Sequence, residues 1–373
     1  MPRNINARLG QLKTRRQGMD RLGRLSQDAQ REIITKSLQA ESWQKRASYQ
    51  PNTQYALGAM QEVGPEYTRI SRETAERVGK QLASSIRLVE FELQGSVPLN
   101  VHIRGVSDVD LLTLDTSFLI YDSTGIAGRG GSYSPTPKTS LSVLSDLRKN
   151  VETVLPASFP AAKVDSSGGK AVNISGGSLA RPVDVVPSHW YDTATYQQSR
   201  QLHDRAVYIL NKKTSETISN YPFLHIKCIS DRCDEALGGL RKTIRLCKNV
   251  KADAIEEGTP ISLPSFDIAA TMYHADMMAL KIGYLYELRI LAETQRHLDF
   301  LYHNEAHAKT LRVPDGSRKI FDTQEKYEGL RKLSIEIDDL LREVAKEQKP
   351  SILLEGGTAL QSGRDAISSL TIG

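Results

Sequence analysis

The chain has 373 residues, 39% hydrophobic and 25% charged, with 49 Lys+Arg against 44 Asp+Glu and a net charge of +5. That length suits two to three domains with a substantial core, and the composition excludes a disordered chain, a collagen-like chain and a membrane bundle. The charge is uneven: residues 1–50 hold eleven Lys/Arg against four acids, a local +7, which leaves the other 323 residues at −2. A basic segment can meet a polyanion, whereas the near-neutral body has no general tendency of that kind. No apolar run approaches the ~18 residues of a membrane span. The opening MPRNINARLGQLKTRR lacks the apolar stretch of a secretory signal. A cytoplasmic protein that needs no membrane is expected.

In chain order, residues 1–19 read as a loose basic arm and 20–49 as a helix with a thin apolar pattern. After the break at Pro51, the spacing of Val78, Leu82, Ile86, Val89 and Leu93 predicts a long helix over 66–93 running straight into Gly95-Ser96. VHIRG, DVDLLTL and FLIYD then alternate with period two and predict strands. A Gly/Ser/Pro loop covers 125–137. Thr139 or Ser140 caps a helix with the stripe Leu141, Leu144, Leu147, Val151 and Leu155. KAVNIS and RPVDVVP predict further strands, and AVYIL with NYPFLHIK a hairpin. From about 230 the pattern is helical. One helix carries Leu237, Leu240, Ile244 and Cys247, a second begins near Pro264, and others cover 276–303 and 323–347. Residues 350–373 read as a flexible tail. The expected division is a basic N-terminal segment (1–60), a catalytic lobe (61–228), a helical lobe (229–349) and the tail (350–373).

The informative stretch is GSVPLNVHIRGVSDVDLL. On a strand, positions i and i+2 share a face, so Asp108 and Asp110 present two carboxylates together. Carboxylates held that close need a cation, and hard divalent ions take such oxygens while keeping positions for phosphate. A third acid is wanted on a neighbouring strand. Asp184, set among Val183, Val185 and Val186, is costly to bury unpaired. It is a better candidate than Asp115 or Asp122, where the strand runs out. A D-x-D alone is common on edge strands; the conjunction with Gly-Ser and a third strand Asp carries the argument.

This set resembles the nucleotidyltransferase superfamily that includes DNA polymerase beta, and within it the cGAS/DncV-like nucleotidyltransferases, or CD-NTases. The likeness covers most of residues 66–345 and is specific at GS…SDVDLL and VDVVP. It implies an α+β fold: a long spine helix leading to Gly-Ser, a polymerase-beta-like mixed catalytic sheet, and a C-terminal helical lobe closing the nucleotide cleft. It further implies that Gly95 and Ser96 hold the donor triphosphate. Asp108, Asp110 and Asp184 would bind two Mg²⁺ or Mn²⁺ ions. In GGLRKTIRLCKNVK, Lys248 would reach the phosphates. In PSFDIAATMYH, Ser265 would touch phosphate and Phe266 would stack on the donor base, where many members have Tyr. Arg241, Arg245 and Lys248 share a helix face, suited either to a triphosphate or to solvent.

The resemblance implies a bacterial enzyme making a cyclic di- or trinucleotide messenger from NTPs by two-metal phosphoryl transfer. It also implies anti-phage signalling to a messenger-responsive effector, with nucleic acid not required. The alternatives are a linear-oligonucleotide or RNA-end nucleotidyltransferase, and a non-catalytic nucleotide-binding scaffold. Cys228, Cys233 and Cys247, with His225, fit no standard zinc spacing and read better as buried thiols. Some CD-NTases are joined to other molecules by a ubiquitin-ligase-like partner, so the terminal Gly373 is a candidate conjugation point.

Overall fold

The computed structural model describes residues 5–17, 41–353 and 360–373. Helices of eight residues or more are numbered. They are α1 (Ile5–Gln17), α2 (Pro51–Met60), α3 (Pro65–Ser85), α4 (Ser140–Ser158), α5 (Pro222–Glu235), α6 (Gly239–Glu256), α7 (Ser265–Tyr273), α8 (Leu288–His303), α9 (Gln324–Gln348) and α10 (Leu360–Ile367). The strands are β1 (Val89–Gln94), β2 (Val109–Tyr121), β3 (Lys163–Asp165), β4 (Val172–Ser175), β5 (Val183–Asp192), β6 (Ala206–Asn211) and β7 (Glu216–Asn220).

The seven strands form one mixed sheet, in the order β1-β2-β5-β4-β3, with β6 joining β5 and β7 joining β6. Only β2 and β5 are parallel. Val109, Leu111, Val183 and Val185 turn to one face, against Val78 and Leu82 of α3 and Leu147 and Val151 of α4. Leu112, Leu114 and Val186 turn to the other, against Trp190 and Phe223. The α+β reading therefore holds, with helices behind the sheet and a helical body beside it.

The spine helix is shorter than its spacing predicts. It stops at Ser85, and VEFELQ is strand β1, paired antiparallel with β2. Val89 and Leu93 fit a helical period by coincidence, while Val-Glu-Phe-Glu-Leu alternates with period two, and the sheet contact decides. VHIRG is extended coil and turn rather than strand. NYPFLHIK is not the second arm of a hairpin; β7 ends at Asn220, and Pro222 starts α5 at its first position. Leu141 is 40% exposed and Leu237 is 51% exposed, in the turn before α6, so neither belongs to its expected stripe. The helix expected over 276–303 is split into Met277–Ile282 and α8.

The described parts of two segments expected to be loose, 5–17 and 360–373, are built into the helical body. In α1, Arg8, Leu9, Leu12, Arg15 and Arg16 are buried at helical spacing. Leu9 and Leu12 join a core with α2, α6, α8 and α9, and the arginines find acids. Arg8 pairs with Glu257 and, at 2.9 Å, Glu336; Arg15 pairs with Asp253 at 2.7 Å; Arg16 pairs with Glu41 at 2.6 Å. The helix expected over 20–49 lies mostly outside the described residues; Ser42–Lys45 is a short 3₁₀ turn. At the other end, α10 packs on α8 and α9 with Ile367 fully buried. The Gly373 carbonyl accepts the Ala47 N–H at 3.1 Å, and Gly373 itself is exposed.

This packing has two expected consequences for stability. Asp253, fully buried, is held by Arg15 and by the Tyr55 hydroxyl. Arg15→Ala leaves that carboxylate short of its cation and is expected to cost about 3 kcal/mol, read as a fall in the urea midpoint. Burial also pushes the imidazoles of His102, His225 and His297 down to about 4. The unfolded chain takes up these three protons as pH falls below about 6.5, while the folded chain does not until about pH 4. Stability is therefore expected to fall as pH drops through that window, by up to about 4 kcal/mol per pH unit from the three groups together. Urea midpoints at several pH values between about 7 and 4 check it.

Candidate functional site

The sequence places all three acids at one end of the sheet. Asp110 and Asp184 are each the second residue of their strand, and they are direct partners in the parallel β2–β5 ladder. Partners in register point to the same face, so the two carboxylates stand side by side. Asp108 lies two residues before Asp110, where the chain enters β2. Asp184 accepts an N–H from Asn173 Nδ2 at 2.9 Å on the antiparallel neighbour β4. Burial, and then the charges of Asp184 and Asp108, push the Asp110 carboxyl up to about 7, with Lys248 opposing. By contrast, Asp115 and Asp122 spend their carboxylates on local turns, capping Ser117 N at 2.8 Å and Thr124 N at 2.9 Å.

Gly95 and Ser96 begin the turn that leaves β1, whose last residue, Gln94, is the partner of Asp110. Gly95 has φ +74°, and a Cβ there would lie 2.1 Å from Asp110 Oδ2. The turn and the acid are thus in van der Waals contact, which only glycine allows.

Across from the acids, Lys248 projects from α6. It is buried and donates to Val101 O at 2.9 Å and Ser107 Oγ at 3.1 Å. Burial pulls its pKa down to about 7, with Asp110 opposing. Arg241 and Arg245 share its helix face but bond to backbone carbonyls, Arg241 to Leu99 O at 3.0 Å and Arg245 to Asn100 O at 2.7 Å. The stripe is therefore neither a solvated face nor a triphosphate clamp as a whole; of the three, Lys248 lines the cleft.

Ser265 opens α7, with Phe266 next to it. The Phe266 ring stacks on His225 at 4.1 Å between centroids, and the Arg318 guanidinium lies over it at 5.3 Å. Arg318 is held in turn by buried Asp267. Gly95, Ser96, Asp108, Asp110, Asp184, Lys248, Ser265 and Phe266 all line one cleft of about 370 Å³ between the sheet and the helical body. Gln94, Asn220 and His225 line it too, and sequence reasoning did not place them there. Asn220 and His225 flank the β7–α5 junction, and reading Tyr221-Pro222 as a helix start would have brought them forward.

Cys233 and Cys247 are buried in the helical core and Cys228 is half-buried, all three as free thiols. Burial pushes the Cys247 thiol up to about 12. Among the described residues, no three His, Cys, Asp or Glu side chains already converge as a metal cluster. Among the same residues, no helix is long and apolar enough to cross a membrane.

A mixed sheet with acids at one end of two adjacent central strands, facing a helical body across a cleft, is the architecture of a polymerase-beta-type nucleotidyltransferase. Comparison with known proteins narrows the class. A cyclic dinucleotide synthase, CdnE, of Yersinia aleksiciae is 47% identical over 309 residues, spanning 83% of this chain and 80% of that protein. A c-di-GMP synthase of Capnocytophaga granulosa is 33% identical over 310 residues, spanning 78% and 86%. The solved structure of a STING-associated CdnE c-di-GMP synthase from Capnocytophaga granulosa matches with a TM-score of 0.69 at 30% identity, covering 91% of this chain and 97% of that one. No family model matches the chain. The chain belongs to the CD-NTases, and it is a nucleotidyltransferase whose relatives are cyclic dinucleotide synthases.

Proposed function

We propose that this protein joins two NTPs into a cyclic dinucleotide, and that Asp108, Asp110 and Asp184 form its metal-binding triad. The observation that carries the reading is the register of Asp110 with Asp184 on adjacent parallel strands, in one cleft with Ser96, Lys248, Ser265 and Phe266. The donor set fits hard divalent cations: three carboxylates that repel one another, with Asp110 pushed up by burial and then by the charges of Asp184 and Asp108. Two Mg²⁺ or Mn²⁺ ions held there would neutralise phosphate charge and ease deprotonation of the attacking hydroxyl.

The protein's own groups set the geometry. The turn at Gly95 and Ser96 brings backbone and hydroxyl to the donor triphosphate beside Asp110. Lys248 adds a cation on the opposite wall, and Ser265 adds a hydroxyl at the start of α7, where N–H groups favour anions. Phe266, backed by His225, offers a flat wall to a base. A 2′- or 3′-hydroxyl of one nucleotide attacks the α-phosphate of the other in line, and pyrophosphate leaves; a second such step closes the ring.

The Capnocytophaga enzyme is described as STING-associated. By that likeness we place this protein in anti-phage signalling, its product being read by a cyclic-dinucleotide-responsive effector. The test is incubation with α-labelled NTPs and Mg²⁺ or Mn²⁺, followed by phosphatase. Phosphatase-resistant product is expected. A product that phosphatase trims from a 5′-triphosphate to a linear oligonucleotide with free hydroxyl ends, its mass falling accordingly while a cyclic product's mass is unchanged, would favour a linear-oligonucleotide synthase, and no product with any NTP combination would favour a nucleotide-binding scaffold.

A further inference from the structure

The turn carrying Ser96 and the approach to Asp108 are one continuous segment, residues 95–108, and this segment is shared between two cores. Val97 packs in the core under the sheet with Val109 and Leu111, whereas Leu99 and Val101 pack in the helical core with Leu240 and Ile244 of α6. Three successive backbone carbonyls of the segment face α6, and each is taken by a cation of the same helix stripe. Leu99 O accepts from Arg241 at 3.0 Å, Asn100 O from Arg245 at 2.7 Å, and Val101 O from Lys248 at 2.9 Å. Residues four and three apart share one helix face, and the segment is turn through Asn100, whose left-handed backbone breaks the alternation of an extended chain, so that three successive carbonyls meet that face.

Arg245 is the centre of this arrangement. It is buried, and its Nε also donates to Met60 O, the last residue of α2, at 2.8 Å. Among the described residues no carboxylate lies within ion-pair distance of it. Burial pulls its pKa down to about 10, with Glu62 opposing. A buried guanidinium without a paired acid is costly. Asn100, whose carbonyl it holds, has φ +56°, the left-handed conformation that Asn adopts more readily than other residues with a side chain and that turns its carbonyl toward α6. Glu62 fixes the same residue from the other side by accepting Asn100 Nδ2 at 2.7 Å. The cost of burying this cation thus falls at a point that touches neither the acids nor the cleft wall.

We propose that Arg245, assisted by Arg241, is a positioning residue that sets the Ser96 turn and Asp108 from the helical body, so that the two walls of the cleft keep a fixed relation. Lys248 occupies the third carbonyl and alone of the three also lines the cleft. The stripe therefore joins the segment's backbone to the site. Loss of the guanidinium frees the Asn100 carbonyl and lets the 97–107 segment shift relative to Asp110 and Asp184, which the β2–β5 ladder holds independently.

The inference rests on the nucleotidyltransferase reading of the cleft, and the two fail differently. Product formation by the wild type, and its loss in Asp110→Asn, decide the reading. The positioning role is decided by Arg245→Met, Arg245→Lys and Arg241→Met, compared per folded molecule after melting curves. Arg245→Met is expected to lower kcat roughly 10²-fold, the scale of a small misplacement of reacting groups. The KM for NTP should rise by a smaller factor than kcat falls, because Ser265 and Phe266 stay in place and only the Ser96 contact to the donor is weakened. Hydrogen exchange should quicken at amides 97–107 and stay slow in β2 and β5. Arg245→Lys, keeping a cation for one carbonyl, should recover about tenfold, and Arg241→Met should show a smaller loss of the same kind. The proposal is overturned if kcat per folded Arg245→Met molecule stays within about threefold of wild type, or if its loss comes without faster exchange at 97–107. Should Arg245→Met not fold, Arg245→Lys and Arg241→Met carry the same two readouts, and wild-type values in both variants would equally overturn it.

Discussion

Asp110→Asn is expected to abolish cyclic dinucleotide formation, by at least ~10³-fold, while leaving the metal-free protein as stable as wild type or more so. A thousandfold loss corresponds to about 4 kcal/mol of transition-state stabilisation. Asn keeps the shape of Asp110 but supplies one neutral oxygen where a charged pair is needed for hard cations. The stability half of the prediction comes from the same contacts. Asp110 sits in register with Asp184 and two residues from Asp108, in surroundings that push its carboxyl up to about 7. Removing one of three like charges relieves repulsion that the folded protein otherwise carries. A structural carboxylate would behave in the opposite way, as is expected of Asp253 with its bonds to Arg15 and Tyr55. Metal should separate the variants further. Mg²⁺ or Mn²⁺ is expected to raise the wild-type melting temperature by binding the folded state, which stabilises it by about 2.7 kcal/mol per site at a hundred times Kd. Asp110→Asn should show little such shift. A variant that retains normal product formation, or that melts several degrees lower without metal, would sink the assignment of Asp110.

What the sequence reveals about this site depends on how local the cause is. Asp108 and Asp110 are legible because a strand's period of two is a property of the backbone itself. Asp184 is legible because a carboxylate within a run of valines needs a reason. That Asp110 and Asp184 are direct partners is set by a parallel pairing across more than seventy residues, which no local pattern encodes. The basic N-terminal segment misleads for a different reason. Its helical face carries Arg8, Arg15 and Arg16 beside Leu9 and Leu12, so it reads as polar, although Glu257, Glu336, Asp253 and Glu41 make that face a docking surface. The same holds for the α6 stripe. Its spacing is visible in the sequence, but its partners are main-chain carbonyls, which carry no residue type to recognise. The spine helix fails at its end because Val89 and Leu93 satisfy both periods, and only pairing with β2 settles which one folds.

Gly95→Ala is expected to cost activity out of proportion to stability, roughly 10²-fold for one methyl group. Two effects act at this position. The φ of +74° is disfavoured for a residue with a Cβ, by about 1–2 kcal/mol. The Cβ would also stand 2.1 Å from Asp110 Oδ2, far inside contact distance. The overlap is relieved only if the turn lifts away or the carboxylate swings aside. A lifted turn moves Ser96 from the donor phosphates; a displaced carboxylate leaves the pair it forms with Asp184. Either way the relation between phosphate turn and acid is lost, although β1 and β2 stay paired through Gln94 and Asp110. Gly258→Ala isolates the backbone effect, because Gly258 has φ +88° and no atom lies within 4 Å of the place its new methyl group would take. That variant is expected to lose about 1 kcal/mol of stability and no activity per folded molecule. Product formation and urea midpoints for the two variants, measured side by side, decide the matter. If both lose stability alone, the contact between Gly95 and Asp110 has no catalytic consequence, and the turn is a connection like any other.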